Sequence, residues 1–193
     1  MNADFRHETE RLILRDWREE DWPRFWEATN TPSVMRWLGG VADAEARAFA
    51  RERLEGYAAK FGHTLWALER KNDGGHLSGE LLGFCGLKRA NIEGTPVFDM
   101  PEVGWRLRKA AWRRGYAKEA AGATLDLTFG RFAYQEAIAL TVDGNAPSWG
   151  LMQRLGMRRR EEFDYRDDRF GPDLNPTIVY SITAGEWKRA RDG

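Results

Sequence analysis

One stretch of the chain constrains its folding more than any other: Trp112-Arg113-Arg114-Gly115-Tyr116-Ala117-Lys118-Glu119-Ala120. Before it, residues 102–108 read as a strand; after it, residues 115–132 read as a helix and 136–142 as another strand. A strand–helix–strand unit places its two strands parallel, with a right-handed crossover. In open sheets ligands bind beyond the carboxyl ends of such strands. Gly115 leaves room for a ligand to approach the main chain, and the first N–H groups of the helix have no internal partners. With the helix dipole they make an anion site, and Arg113, Arg114 and Lys118 add positive charge. A pyrophosphate suits it. The plain alternative is a helix that starts at a glycine turn among solvated arginines.

The other elements follow from periodicity and punctuation. Residues 11–17 read as a strand, and 19–30 as an amphipathic helix with Trp22, Phe25 and Trp26 at i, i+3, i+4. Pro32 opens a short helical piece. Asp43 can cap a helix over 44–60, with Gly62 beyond its end. Strands are expected at 64–70 and 81–88, separated by the turn-rich Lys71-Asn-Asp-Gly-Gly-His-Leu-Ser-Gly79. After a loop at 91–99 come the crossover, a helix at 146–155, strands at 159–164 and 177–183, and a closing helix at 185–190. The length suits one domain spanning residues 1–193. Strands first in hairpins and then alternating with helices imply a mixed sheet covered on both faces.

Composition excludes several classes. Thirty basic and 30 acidic residues give no global pull toward nucleic acid or an anionic membrane. The single cysteine, Cys85, cannot form an internal disulfide, and it reads as a buried small hydrophobe. The three histidines lack metal-ligand spacing, so no metal is expected; His63 and His76 read as loop residues. No apolar run is long enough to span a membrane. Met1-Asn-Ala-Asp-Phe-Arg6 has no signal-peptide core. A cytoplasmic protein, monomer or homodimer, is expected.

A second motif follows the crossover: Asn145-Ala-Pro-Ser148, with Leu155-Gly156-Met157 after it. Arg113-Arg-Gly-Tyr-Ala117, Asn145-x-x-Ser148 and Leu-Gly-Met occur in the order of the pyrophosphate loop and the following segment of the GNAT N-acetyltransferase superfamily, which the chain resembles. Glu102-Val-Gly-Trp-Arg-Leu107 is similar to the strand before that loop. Glu10-Arg-Leu-Ile-Leu-Arg15, with Glu20-Asp21 after it, resembles the branch of ribosomal-protein-alanine acetyltransferases. The resemblance covers nearly the whole chain. It implies an α/β (α+β) fold: a mostly antiparallel central sheet of about seven strands, helices on both faces, and a splayed parallel pair. Two departures stand out. Trp112 occupies the loop's usual glutamine or arginine position, and the tyrosine that often follows Leu-Gly-(Phe) as proton donor is absent, since Met157 is followed by Arg158.

The resemblance implies transfer of an acetyl group from acetyl-coenzyme A to an amine. Arg113, Arg114, Gly115, Tyr116, Ala117 and Lys118 would hold the pyrophosphate, chiefly through main-chain N–H groups, and the backbone at Leu107 and Arg108 would hold the pantetheine arm and acetyl carbonyl. Asn145 would bond a pantetheine amide or cap the next helix; Ser148 is a first-turn helix residue or a donor to the leaving sulfur. Glu102 is the favoured base, or else a surface carboxylate at a strand end, with Asp99 its nearest competitor. The run Glu161-Glu-Phe-Asp164-Tyr165-Arg-Asp167-Asp168 would bind a cationic acceptor, furnish a base, or be a solvated loop; Tyr165 is a weaker proton-donor candidate. The Trp22, Phe25, Trp26 face reads as core, while Trp26 or Trp37 could border the acceptor cleft. The acceptor is a protein N-terminus or a small-molecule amine. Competing readings are a non-catalytic coenzyme A sensor or scaffold, and a nucleic-acid binder using Arg106, Arg108, Lys109, Arg113 and Arg114, a cluster that the cofactor's phosphates already explain.

Overall fold

The computed structural model describes residues 5–192; the start of the N-terminal segment, which was expected to lack a signal-peptide core, lies outside the described residues. Two antiparallel strands, β1 (Arg6–Glu8) and β2 (Leu12–Arg15), lead into helices α1 (Asp21–Thr29), α2 (Pro32–Met35) and α3 (Ala44–Phe61). The hairpin β3 (Leu65–Arg70) and β4 (Leu81–Arg89) follows, then β5 (Pro101–Leu107), α4 (Tyr116–Phe129) and β6 (Glu136–Val142). The chain ends with α5 (Ala146–Arg154), β7 (Arg158–Arg159), β8 (Thr177–Thr183) and α6 (Ala184–Asp192). All eight strands form one sheet in the order β1-β2-β3-β4-β5-β6-β8-β7. Every neighbouring pair is antiparallel except β5 and β6.

Local chemistry fixes the helices. Asp43 accepts a hydrogen bond from the Ala46 amide at 2.9 Å, and Gly62 closes α3 in the left-handed conformation at φ 70°. The aromatic stripe of α1 packs with Leu54, Tyr57, Leu65 and Ala67 on one face of the sheet. Alternation in β3 sends Trp66 and Leu68 to the other face, where they join α4 and α5 in the main core. At the α1 start the buried Arg15 grips Asp21 through two bonds of 2.6 and 2.9 Å and also binds Glu69. Among the described residues no helix is long and apolar enough to cross a membrane.

The structure departs from the sequence expectations in three places. The sheet has eight strands instead of about seven, because Arg6–Glu8 is too short and polar to show an alternating pattern. The strand expected at 159–164 shrinks to Arg158–Arg159 and gives way to a tight helical turn at Glu161–Phe163. His63 is no exposed loop residue. It is 1% exposed, bonded to the Leu87 carbonyl at 2.9 Å and the Tyr134 hydroxyl at 3.0 Å, and burial pushes its pKa below the ordinary value.

Candidate active site

The parallel pair holds together at only one point. Glu102 faces Ile138, and beyond it β5 and β6 diverge toward their carboxyl ends. Pairing between β5 and β4 continues, with the Arg108 amide donating to the Leu82 carbonyl at 2.7 Å. Antiparallel bonding alternates, so the even-numbered residues of β5 spend their main-chain groups on β4. The amides of Trp105 and Leu107 therefore face the gap, where no strand meets them. Arg108 is a correction to the sequence reading: its amide is taken by Leu82, its carbonyl by the Ala111 amide, and its guanidinium by Glu80. Trp105 supplies the second inward-facing amide instead. A Cβ at Gly83 would overlap the Arg106 carbonyl, so only glycine lets β4 and β5 approach this closely.

The gap opens toward the start of α4. The Trp112 indole donates to the Leu107 carbonyl at 2.9 Å and anchors the connecting loop. Arg113 and Gly115 both adopt the left-handed conformation, at φ 60° and 80°. Holding a non-glycine residue there costs on the order of 1–2 kcal/mol, and alternation of this kind turns successive amides toward one concave side. No side chain caps α4, and the amides of residues 113–118 donate to nothing among the described residues. Arg113, Arg114 and Lys118 are exposed and without ion pairs among the described residues. The one acid in the first turn, Glu119, is already neutralised: burial would raise its pKa, but bonds from the Thr9 hydroxyl and from the Arg11 amide and guanidinium hold it low. An open groove of about 650 Å³ runs past Gly115 and Lys118. Tyr116 differs from its neighbours. Its side chain is buried, and its hydroxyl donates to the His76 carbonyl at 3.0 Å, so only its amide faces the concavity.

On the α1–α3 side, a cavity of about 240 Å³ lies beside the gap. Trp37, Leu38, Leu140 and Phe170 form apolar walls; Glu102, Lys88, Arg53, Asp167 and Arg169 supply charge. Trp37 closes over the end of β6, its ring 2.6 Å from where a Cβ on Gly144 would sit. Glu102 is only 8% exposed and is bound by the Lys88 ammonium, so it is not the solvent-facing strand-end carboxylate that was one reading of the sequence. Tyr165 also lines the cavity. Burial, and then the charge of Glu102, push its phenol up to about 12, so it stays protonated at neutral pH. Asp99 lies outside the cavity, exposed and paired with Arg89. In the acidic run, Asp164, Glu162 and Asp167 are committed to Arg159, Arg160 and Arg169.

Asn145 precedes α5 but does not cap it with its side chain, which donates to the Thr141 hydroxyl at 3.0 Å. Its side-chain oxygen and the Ser148 hydroxyl have no partners among the described residues. Cys85 is buried, with burial pushing its thiol up to about 12, so it is no acyl carrier. Arg106, one of the supposed basic cluster, is half-buried in a cage of Phe25, Trp26 and Phe84, and desolvation there lowers its pKa to about 10. Sequence reasoning missed Arg53, Tyr57 and Lys88. They sit on α3 and β4, far in sequence from either motif, and no local signal points to them. No cluster of three or more metal-ligating side chains occurs among the described residues.

Comparison with known proteins agrees with this geometry. The family model for the acetyltransferase (GNAT) domain matches residues 11–158. The chain is 31% identical over 158 residues to the uncharacterized protein YkkB of Bacillus subtilis (strain 168), covering 81% of this chain and 87% of that one. It is 28% identical to the uncharacterized N-acetyltransferase YnaD of the same organism, over 93% of this chain and 97% of that one. An acetyltransferase structure from Agrobacterium tumefaciens str. C58 superposes with a TM-score of 0.77 at 24% identity, covering 94% and 96% of the two chains. An uncapped helix start beside a splayed strand pair, together with these matches, makes the chain an acetyltransferase of the GNAT family, whose co-substrate is acetyl-coenzyme A.

Proposed function

We propose that the chain works as one catalytic domain that transfers acetyl from acetyl-coenzyme A to a primary amine by direct attack. The observation that carries this reading is the gap between β5 and β6 leading onto the uncapped start of α4. The left-handed backbone at Arg113 and Gly115 fits a pyrophosphate. The amides of residues 114–118 would hold it, with Arg113, Arg114 and Lys118 adding charge. The Asn145 carboxamide would accept from a pantetheine amide. Bound acetyl-coenzyme A supplies a thioester whose thiol, with a pKa near 8.5, leaves without obligatory protonation.

Glu102, at the edge of the cavity, accepts the proton of the attacking amine through the carboxylate oxygen that Lys88 leaves free. The inward-facing amides of Trp105 and Leu107 donate to the acetyl oxygen as negative charge develops on it. The Ser148 hydroxyl donates to the sulfur. Making an α-amine neutral at pH 7 costs about 1.4 kcal/mol, against roughly 4–5 kcal/mol for a lysine amine, so one buried carboxylate is adequate for an α-amine.

Thiol release measured with peptide N-termini and small amines tests the proposal. Glu102→Gln keeps the shape and an acceptor for Lys88, and should lower kcat/KM about 10²- to 10⁴-fold at pH 7. The deficit should shrink about tenfold by pH 9, where an α-amine is already mostly neutral. Absence of thiol release with every amine, in a protein that binds coenzyme A, would refute the proposal.

A further inference from the structure

The charges around the cavity do not balance. Asp167 is paired with Arg169 at 2.6 Å, and Glu102 with Lys88. The third cation, Arg53, lines the cavity with neither a carboxylate partner nor, at its buried Nε, a hydrogen-bond partner among the described residues. Beside it, one turn along α3, the Tyr57 hydroxyl is likewise buried and unpartnered. Burial raises the Tyr57 pKa, and Tyr57 stands behind Arg53 without lining the cavity itself. Buried donors in folded proteins find partners, and leaving a pair of them orphaned is costly. Both orphans can donate, and one is cationic. The missing partner is an anionic acceptor atom.

We infer that the acceptor amine also carries a carboxylate, held by Arg53 while its amine faces Glu102: a small amino acid-type substrate with an apolar side chain. This rests on the amine-acetylation reading above and narrows it. Glu102 and Arg53 present opposite charges to one small space, which matches a zwitterion. The walls formed by Trp37, Leu38, Leu140 and Phe170 match an apolar side chain. At about 240 Å³ the cavity falls below the roughly 300–1,000 Å³ of sites for drug-sized ligands, and so suits a compact molecule. A polyamine or aminoglycoside would bring further positive charge to a site that already has one unpaired cation. A peptide N-terminus would bring an uncharged amide where the carboxylate belongs.

Leucine, phenylalanine and tryptophan, each against its own carboxamide, test the inference, because the side chain is kept and the negative charge is lost; rates are compared per unit of neutral amine, since the carboxamide also lowers the amine pKa. Thiol release gives kcat/KM, and calorimetry in the presence of coenzyme A gives affinity. Wild type should favour the acid by roughly 10- to 100-fold, the value of one charge-assisted bond or a pair sharing a charge. Arg53→Met should bring that ratio close to one, and Arg53→Lys should restore part of it. Circular dichroism would report any loss of fold. Equal or better use of carboxamides or peptide N-termini by wild type overturns the inference and leaves amine acetylation standing. So does an Arg53→Met ratio unchanged from wild type. Selective binding of the acid without thiol release from any amine upholds the carboxylate pocket but refutes the acetylation reading, whereas neither binding nor release refutes both.

Discussion

Replacing Gly115 by alanine and by tryptophan separates the folding of the proposed pyrophosphate loop from its use. Gly115 sits at φ 80°, where an L side chain costs about 1–2 kcal/mol. In a chain of this size that lowers Tm by roughly 2–8 °C for either substitution. A Cβ would lie 3.2 Å from Arg11 Nη2, the free end of a flexible side chain, and Arg11 can give way while keeping its Nε bond to Glu119. Both variants should therefore fold. Binding should separate them. The alanine methyl leaves the amides of residues 116–118 open, whereas an indole lies across them. Losing two charge-assisted bonds of about 1.5–3 kcal/mol each would raise the Kd for coenzyme A by about 10²- to 10⁴-fold in Gly115→Trp. Alanine should cost only a few-fold. Titration calorimetry with coenzyme A and with pantetheine, which lacks the pyrophosphate, reads this directly; pantetheine affinity should change little in either variant. Coenzyme A binding by Gly115→Trp within about threefold of wild type would refute the placement of a pyrophosphate on these amides.

Three further outcomes are expected. Asp21→Ala removes one partner of a pair whose side chains are 7% and 3% exposed, and should cost about 3–5 kcal/mol, or roughly 6–20 °C in Tm; Arg15→Met with Asp21→Leu should recover much of it by calorimetry. Burial raises the Asp21 carboxyl, but bonds from Arg15 and the Arg18 amide outweigh that and hold it below the ordinary carboxylate value. Its stabilisation is thus full above about pH 4 and is lost as pH falls through the lowered folded value, so the acid arm of a pH–stability curve should flatten in the double variant. Cys85, with its thiol pushed up to about 12, should resist alkylation at pH 8 until the protein unfolds, and fast labelling of native protein would contradict its burial. Ser148→Ala should leave Tm nearly unchanged, since the hydroxyl has no partner among the described residues, yet lower kcat about tenfold with the Kd for coenzyme A intact; an unchanged kcat would remove Ser148 from the reaction.

Local chemistry determined much of this protein. The Asp43 and Gly62 caps, the i, i+3, i+4 stripe at Trp22, Phe25 and Trp26, and the segments flanking residues 112–120 each act within a few residues, so α1, α3, β5, α4 and β6 are legible in the chain. Arg113-Arg-Gly-Tyr-Ala117 is legible for the same reason: a helix start and its unpaired amides are built from consecutive residues. Short polar β1 and two-residue β7 are strands only because β2 and β8 pair with them, and pairing across a sheet leaves no periodic mark on so few residues. His63 looks like a loop residue until the Leu87 carbonyl and Tyr134 hydroxyl close around it.

The acceptor side was decided entirely by tertiary structure. Glu102 could be singled out in the chain, but its burial and its Lys88 partner follow from the β4–β5 register. Arg53 and Tyr57 look like ordinary residues of an amphipathic helix. They become an unpaired cation and an unpaired hydroxyl only when α3 packs against α1, β3 and β4 and brings Arg53 to the cavity wall. The sequence determined the uncapped helix start proposed to hold a phosphate, because a helix start is built from neighbouring residues. The tertiary structure decided what else can bind, because that cavity is shared by elements with no common sequence signal.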